Sequence, residues 1–215
     1  MKRRSLLSTT IISILLLPVF LSDAQQTNTL PNGATYIGEI KDGKPNGQGK
    51  ETWPGGDKYI GEFKDGERDG EGVFLQYDGH VYIGDFKAGK RTGQGTEIMP
   101  NGQGQYKGGF KDGVFDGRGT KVWPDGQRYI GEFRDGHQTG QGTLTSGYGG
   151  KYVGWFEGGL LNGQGSMTYP DGSEHIGQFR YGTRDGNGKM TYPGGKIEDG
   201  VWKDDKFLGA SKSSS

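Results

Sequence analysis

Three histidines, His80, His137 and His175, are the residues of this 215-residue sequence best suited to acid–base or metal chemistry, and no cysteine accompanies them. One precedes a tyrosine, one follows an Asp-Gly pair and one stands where a tyrosine is expected, so they occupy unlike places in the pattern described below. Metal ligation needs ligands that converge, and this spacing predicts no metal site. The Asp-Gly pairs could suggest calcium, but Ca²⁺ asks for about six to eight converging oxygens. The G-x-G pairs could suggest a phosphate loop, yet no G-x-x-x-x-G-K-[ST] occurs and no helix is expected behind them. No serine or threonine has a histidine base at recognisable spacing. The expectation is no catalytic residue, no cofactor and no metal, hence no enzyme. A row of cations, Lys41, Lys64, Lys87, Lys111 and Arg134, could serve a membrane surface or an acidic glycan. Glu39, Glu62, Asp85 and Glu132 sit two residues away, which mostly cancels the field and reads as a solvated edge that resists aggregation.

Such residues must be held by something, and composition limits what. Glycine contributes 45 residues, apolar residues only 29%, yet aromatic residues reach 12%. A disordered chain would lack those rings, and collagen would need glycine at every third place with far more than eight prolines. The 26 basic and 26 acidic residues give no support to nucleic-acid binding.

Self-comparison supplies the architecture. Tyr36, Tyr59, Tyr82, Tyr106, Tyr129 and Tyr152 recur every 23 or 24 residues, and His175 and Glu198 continue the beat. Each unit reads Y-x-G-x-F-x-x-G-x-x-x-G-x-G and then, often, W/Y-P-D/G-G. Seven full units and a truncated eighth fill residues 36–209, preceded by a polar lead over 25–35 and followed by a Ser-rich tail over 210–215. Within a unit, period-two alternation predicts a strand that sends Tyr36 and Gly38 to one face and Ile37 and Glu39 to the other. Asp42-Gly43 is a type I′ hairpin signal, and W-P-G-G places proline and glycine where a second turn needs them. A simple two-residue hairpin would set Tyr36 opposite Gly49 and Gly38 opposite Gly47, with the ring covering a cross-strand glycine. The tyrosines and Phe63, Phe86, Phe110, Phe133, Phe156 and Phe179 then form one packed stripe. Ile37, Ile60, Ile83, Ile130, Val153 and Ile176 form an apolar line on the opposite face. The fold class is therefore all-β, an elongated, twisted antiparallel meander of β-hairpin repeats stabilised by nearest-neighbour stacking.

The units resemble MORN (membrane occupation and recognition nexus) repeats, whose signature is this hairpin. The resemblance covers nearly everything after the leader. It implies a β-rich scaffold used for protein contact, dimerisation or attachment at membranes, and phospholipid binding has been proposed for the family. Similar repeats sit beside phosphoinositide kinase and lysine methyltransferase domains, but the repeats account for residues 36–209, so neither activity transfers. His175 and Glu198 in tyrosine slots, the extra residue near Met99-Pro100-Asn101, and Ser146–Gly150 without its proline depart from the pattern.

Residues 1–24 read differently. Lys2, Arg3 and Arg4 precede the apolar run Ile11–Leu21, and Ser22-Asp23-Ala24 resembles a signal-peptidase site. The expectation is a helical leader cleaved after Ala24, with export to the periplasm or extracellular space; an uncleaved membrane anchor is the alternative.

Function is sought where repeats break their own rule. Positions nine and ten are usually polar, but are Val114-Phe115 in the fourth unit and Leu160-Leu161 in the sixth, which also carries Trp155 where others have Glu or Asp. These five residues are the candidate partner patch. The expected function is an exported, non-enzymatic scaffold for an unknown protein partner or for self-association. A phospholipid-binding membrane module and a carbohydrate-binding surface are the alternatives.

Overall fold

The computed structural model describes residues 27–211; the leader, its helix and cleavage site lie outside the described residues. Within them the chain forms one 17-stranded sheet and no α-helix. β1 (Thr27–Thr29) pairs with β2 (Thr35–Lys41), so the polar lead is itself part of the sheet. β2 and β3 (Lys44–Thr52) make the first hairpin, and β4 (Lys58–Lys64) and β5 (Glu67–Leu75) the second. The alternation runs on to β16 (Ile197–Lys203) and β17 (Lys206–Gly209), each strand pairing antiparallel with its sequence neighbours.

Asp42 and Gly43 both adopt positive φ, 51° and 74°, as a type I′ turn requires. The turn amide of each unit also donates back to the preceding unit: Gly66 N–H to Pro45 O at 2.9 Å and Gly136 N–H to Phe115 O at 2.9 Å. The extra residue of the third unit is absorbed in a single 3₁₀ turn at Pro100–Gly102.

The register inside the hairpin corrects the sequence expectation. Tyr36 pairs with Glu51 rather than Gly49, and Gly38 pairs with Gly49 rather than Gly47. A seven-residue strand faces a nine-residue one, and the surplus forms a bulge opposite Glu39. Gly47 is therefore the bulge glycine, with φ of 90°, and a Cβ there would meet the Glu39 carboxylate, not a ring. The ring still lies over glycine, because Tyr36 leans along its own strand onto the Gly38–Gly49 pair. From there its hydroxyl donates to the bulge carbonyl of Glu39 at 2.9 Å. Tyr59, Tyr106, Tyr129 and Tyr152 repeat the bond to the carbonyl three residues on.

Each tyrosine from Tyr59 to Tyr152 then meets two phenylalanines edge-on, while Tyr36, with Ile40 at the fifth position of its own unit, meets only Phe63. Tyr59 contacts Phe63 of its own unit (5.1 Å between centroids) and Phe86 of the next (4.9 Å). The same alternation runs from Tyr36 to Tyr152, continues through His175 and ends on Trp202. Edge-to-face pairs at this spacing are individually favourable by ~0.5–1.5 kcal/mol beyond the area they bury. This zipper is the core, and every ring in it is nearly solvent-free.

Candidate interaction surface

Glycines at the third and fourteenth positions let the rings lie on the backbone, and the residues around them close the tyrosine face from outside. Arg68 lies over Trp53, Tyr59, Phe74 and Phe86 at 5.1–5.7 Å. Arg91 covers Tyr82 and Phe110 while bonding Glu97 at 2.9 Å. Arg184 covers Trp202 at 4.4 Å and pairs with Asp205 at 2.9 Å. All three occupy the tenth position of their units, so this position is a lid on the zipper.

That geometry divides the five patch residues. Phe115 and Leu161 are the lids of the fourth and sixth units: Phe115 stacks on Tyr106 at 3.8 Å and 14°, and Leu161 packs against the same core. Val114, Trp155 and Leu160 lie on the other face, exposed. The structure thus brings together two sets, one facing the zipper and one facing solvent.

The outward face carries a line that runs straight across the ladder: Ile130 opposite Thr143, Thr143 opposite Val153, Val153 opposite Ser166, Ser166 opposite Ile176. Ile130, Val153 and Ile176 are 43%, 42% and 55% exposed, and Trp155 is 49% exposed. Their counterparts Ile37, Ile60 and Ile83 in the first three units are more covered than these. The fourth position has a structural duty that the sequence did not announce. Glu39 Oε1 accepts from the Gln48 amide (2.9 Å), Asp85 Oδ2 from the Gln94 amide (2.8 Å) and Gln178 Oε1 from the Asn187 amide (3.0 Å). These carboxylates and amides cap the bulge, and Trp155 cannot.

Among the described residues no three His, Asp or Glu side chains converge to hold a metal. His80 bonds Asp78 within a turn, His137 is exposed, and His175 is fully buried between Phe179 and Trp202 with neither ring nitrogen hydrogen-bonded. Burial, reinforced by the Arg184 charge and opposed by Asp205, lowers His175 to about 4. Burial pushes the Tyr129 hydroxyl the other way, up to about 12. Of the cation row, Lys87 is paired with Asp69 at 3.1 Å.

The family model described as MORN repeat matches seven times, at residues 36–58, 59–81, 82–104, 106–128, 129–150, 152–174 and 175–197. The chain belongs to the MORN-repeat family. Among solved structures it is similar to the Drosophila melanogaster SAS-4 (dCPAP) TCP domain in complex with a proline-rich motif of Ana2 (dSTIL). That likeness has 13% identity and a TM-score of 0.46, over 83% of this chain and 90% of that one. The CPAP G-box domain is similar at 17% identity and a TM-score of 0.47, over 84% and 100% of the two chains. The Danio rerio CPAP TCP10 domain with a STIL peptide follows at 16% and 0.32, over 84% and 98%. No curated protein matches the chain.

The sequence reading passed over one set of rule-breaking residues. In the fourth MORN unit the second, fourth and thirteenth positions are Lys107, Gly109 and Arg118, where siblings have mostly Ile or Val, Glu or Asp, and Gln. The signal was available from the same unit-by-unit comparison, but it was applied only to apolar replacements.

Proposed function

We propose that this MORN-repeat chain is an exported, non-enzymatic scaffold that binds a protein partner or a second copy of itself through the outward face of its fourth to seventh units. One observation carries the reading: the tyrosine face is filled by its own lids, whereas Ile130, Val153, Trp155 and Ile176 stand about half-exposed in neighbouring rungs of the outward face. An exposed tryptophan among aliphatic neighbours is the composition of an interface anchor. Val114 and Leu160 extend the same face toward the hairpin turns. Attachment at a lipid surface has less support, since Lys87 of the cation row is neutralised by Asp69 and acidic residues interleave with the rest.

The test is the combined variant Trp155→Glu with Ile176→Lys. Light scattering across a concentration series and pull-down from the compartment that receives the chain should show lost association with a melting temperature no lower than that of the wild type. Association that survives the double variant would overturn the assignment of the face. N-terminal sequencing of exported chain checks the leader: a new terminus at Gln25 supports cleavage, and an intact Met1 in a membrane fraction supports the anchor.

A further inference from the structure

On the outward face, the glycine pairs Gly108–Gly119 and Gly131–Gly142 floor a trough of about 570 Å³. It crosses six neighbouring strands: the Gln94 amide, Lys107 and Arg118 line one end, and Ile130, the Gln141 amide and Val153 line the other. The trough is open to solvent rather than enclosed, a shape that suits an extended chain segment laid along it rather than a buried small ligand. Neither Lys107 nor Arg118 forms an ion pair or hydrogen bond through its side chain among the described residues. Glu132 is the ladder partner of Arg118, but its carboxylate is turned over Gly140 of its own bulge.

The unit that supplies both cations has also lost the carboxylate its siblings carry at the fourth position, because Gly109 stands there. Three changes in one repeat, all on one face and all toward positive charge, make a local positive excess on a face that is otherwise balanced. In the first three units the same face carries Glu39, Glu62, Glu71 and Asp85 interleaved with Lys41, Lys64 and Lys87, so its charges balance. A fixed positive excess at one place on a neutral face directs an acidic partner to that place.

We infer that this trough receives an extended acidic segment of the protein partner. Carboxylates of the segment meet Lys107 and Arg118, its main chain meets the Gln94 and Gln141 amides, and an apolar side chain rests on Ile130 and Val153. Aliphatic walls fit a peptide side chain better than a sugar, which stacks on aromatic rings. The inference rests on the scaffold reading above and names the chemistry of the partner that reading leaves open.

The experiment uses the full chain and a short fluorescent peptide alternating Glu with Val, followed by anisotropy at low and high salt. Its comparisons are the Gln-for-Glu peptide, a uronic-acid oligosaccharide and phosphatidylglycerol vesicles. The acidic peptide should bind, weaken with salt, and lose about tenfold in affinity with Lys107→Ile plus Arg118→Gln, a size expected for two solvent-exposed ion pairs. Sibling units carry Ile and Gln in those slots, so the variant should keep the wild-type melting temperature. Equal binding of the Gln peptide, indifference to the double variant, or preference for the oligosaccharide or the vesicles overturns the inference. If the acidic peptide fails while Trp155→Glu with Ile176→Lys still abolishes association, the acidic-segment inference falls and the scaffold reading stands.

Discussion

On one strand, residues 128–134, Tyr129 is sealed from solvent while Ile130, its neighbour in sequence, is nearly half-exposed. The two faces of this sheet share every strand and differ in what completes them. The tyrosine face is finished from within: rings lie on glycines, hydroxyls bond bulge carbonyls, and tenth-position lids such as Arg68, Arg91, Phe115, Leu161 and Arg184 close most units. The outward face has only the bulge caps to hold in place, and the rest of it is free to vary. A repeat that stabilises itself on one side can change the other without unfolding, which is how one unit acquires Lys107 and Arg118 and another Trp155.

The comparison breaks most severely at the glycines beneath the rings. A Cβ at Gly142 would lie 2.5 Å from Tyr129 Cε2, so Gly142→Val must expel the ring from its slot. The expected loss is about 3–5 kcal/mol, the range for emptying a large aromatic site, read by urea denaturation. Gly55→Ala, at a turn with open space around it, should stay within about 0.5 kcal/mol of wild type. Equal effects at the two glycines would mean that the tyrosines do not depend on bare backbone.

The second effect falls where the zipper substitutes its own element. His175 fills a tyrosine slot, but its ring nitrogens lack partners and a charge there has Arg184 nearby. The folded protein holds it near 4, against about 6.5 in an unfolded chain. The unfolded state therefore binds the extra proton between these values, and stability must fall as pH drops through that window. Full stability from this site is present above pH ~6.5. The loss is complete below about 4 and on the order of 3 kcal/mol. It should appear first as local opening of the last two units, reported by Trp202 fluorescence, since each repeat leans only on its neighbours. His175→Tyr should flatten this part of the acid limb. An acid limb identical in both proteins would remove His175 from the account.

How much of this was legible beforehand follows from what repeats. The 23-residue beat, both turns, the all-β meander and the stripe of Tyr and Phe depend on residue types at fixed spacing, and all are present in the structure. The pairing of Tyr36 with Gly49 was wrong because counting back from Asp42-Gly43 assumes an unbulged hairpin. The two surplus residues around Gly47 reveal themselves only through a positive φ, which glycine adopts without any mark in the sequence. Phe115 and Leu161 stand out in the sequence as contact candidates because Arg68, Arg91, Gln138 and Arg184 fill the same slot in sibling units. Arg68 and Arg91 turn out to lie over rings, so polarity at that slot did not signify solvent.

That point has its own test, smaller in size. Phe115 stacks flat on Tyr106, and an arginine in the same slot would offer a cation over the ring instead. Phe115→Arg should cost about 1 kcal/mol, the difference between a packed ring and a guanidinium lid, whereas Phe115→Ala should cost about 2–4 kcal/mol. The ordering Phe, then Arg, then Ala in thermal stability supports a lid. If Ala were as stable as Phe, the ring would contribute nothing to the zipper and would rejoin Val114 as a surface residue.

The smallest effect is the one that sharpens the comparison most, because its sign is opposite to ordinary expectation. Replacing a large apolar residue normally destabilises, yet Trp155 occupies the slot whose side chain elsewhere caps the bulge. Glu39, Asp85 and Gln178 each accept a hydrogen bond from the amide nine residues on, and the corresponding amide in the sixth unit is that of Gln164. Trp155→Glu supplies the missing acceptor and removes only a half-exposed ring. Backbone bonds to a charged acceptor contribute about 1.5–3 kcal/mol when sheltered, and exposure at this face reduces that, so the expected change is a gain of up to ~1 kcal/mol. Trp155→Gln should give a similar gain, as Gln178 does the same work, and Trp155→Ala should give none. A gain with Glu and Gln but not Ala, together with lost association in all three, would separate the two faces in one set of variants: stability from the bulge cap, binding from the indole. A clear loss of stability in the Glu variant would instead place Trp155 among the residues that hold the sheet together, and the outward face would no longer be free of structural duty at that point.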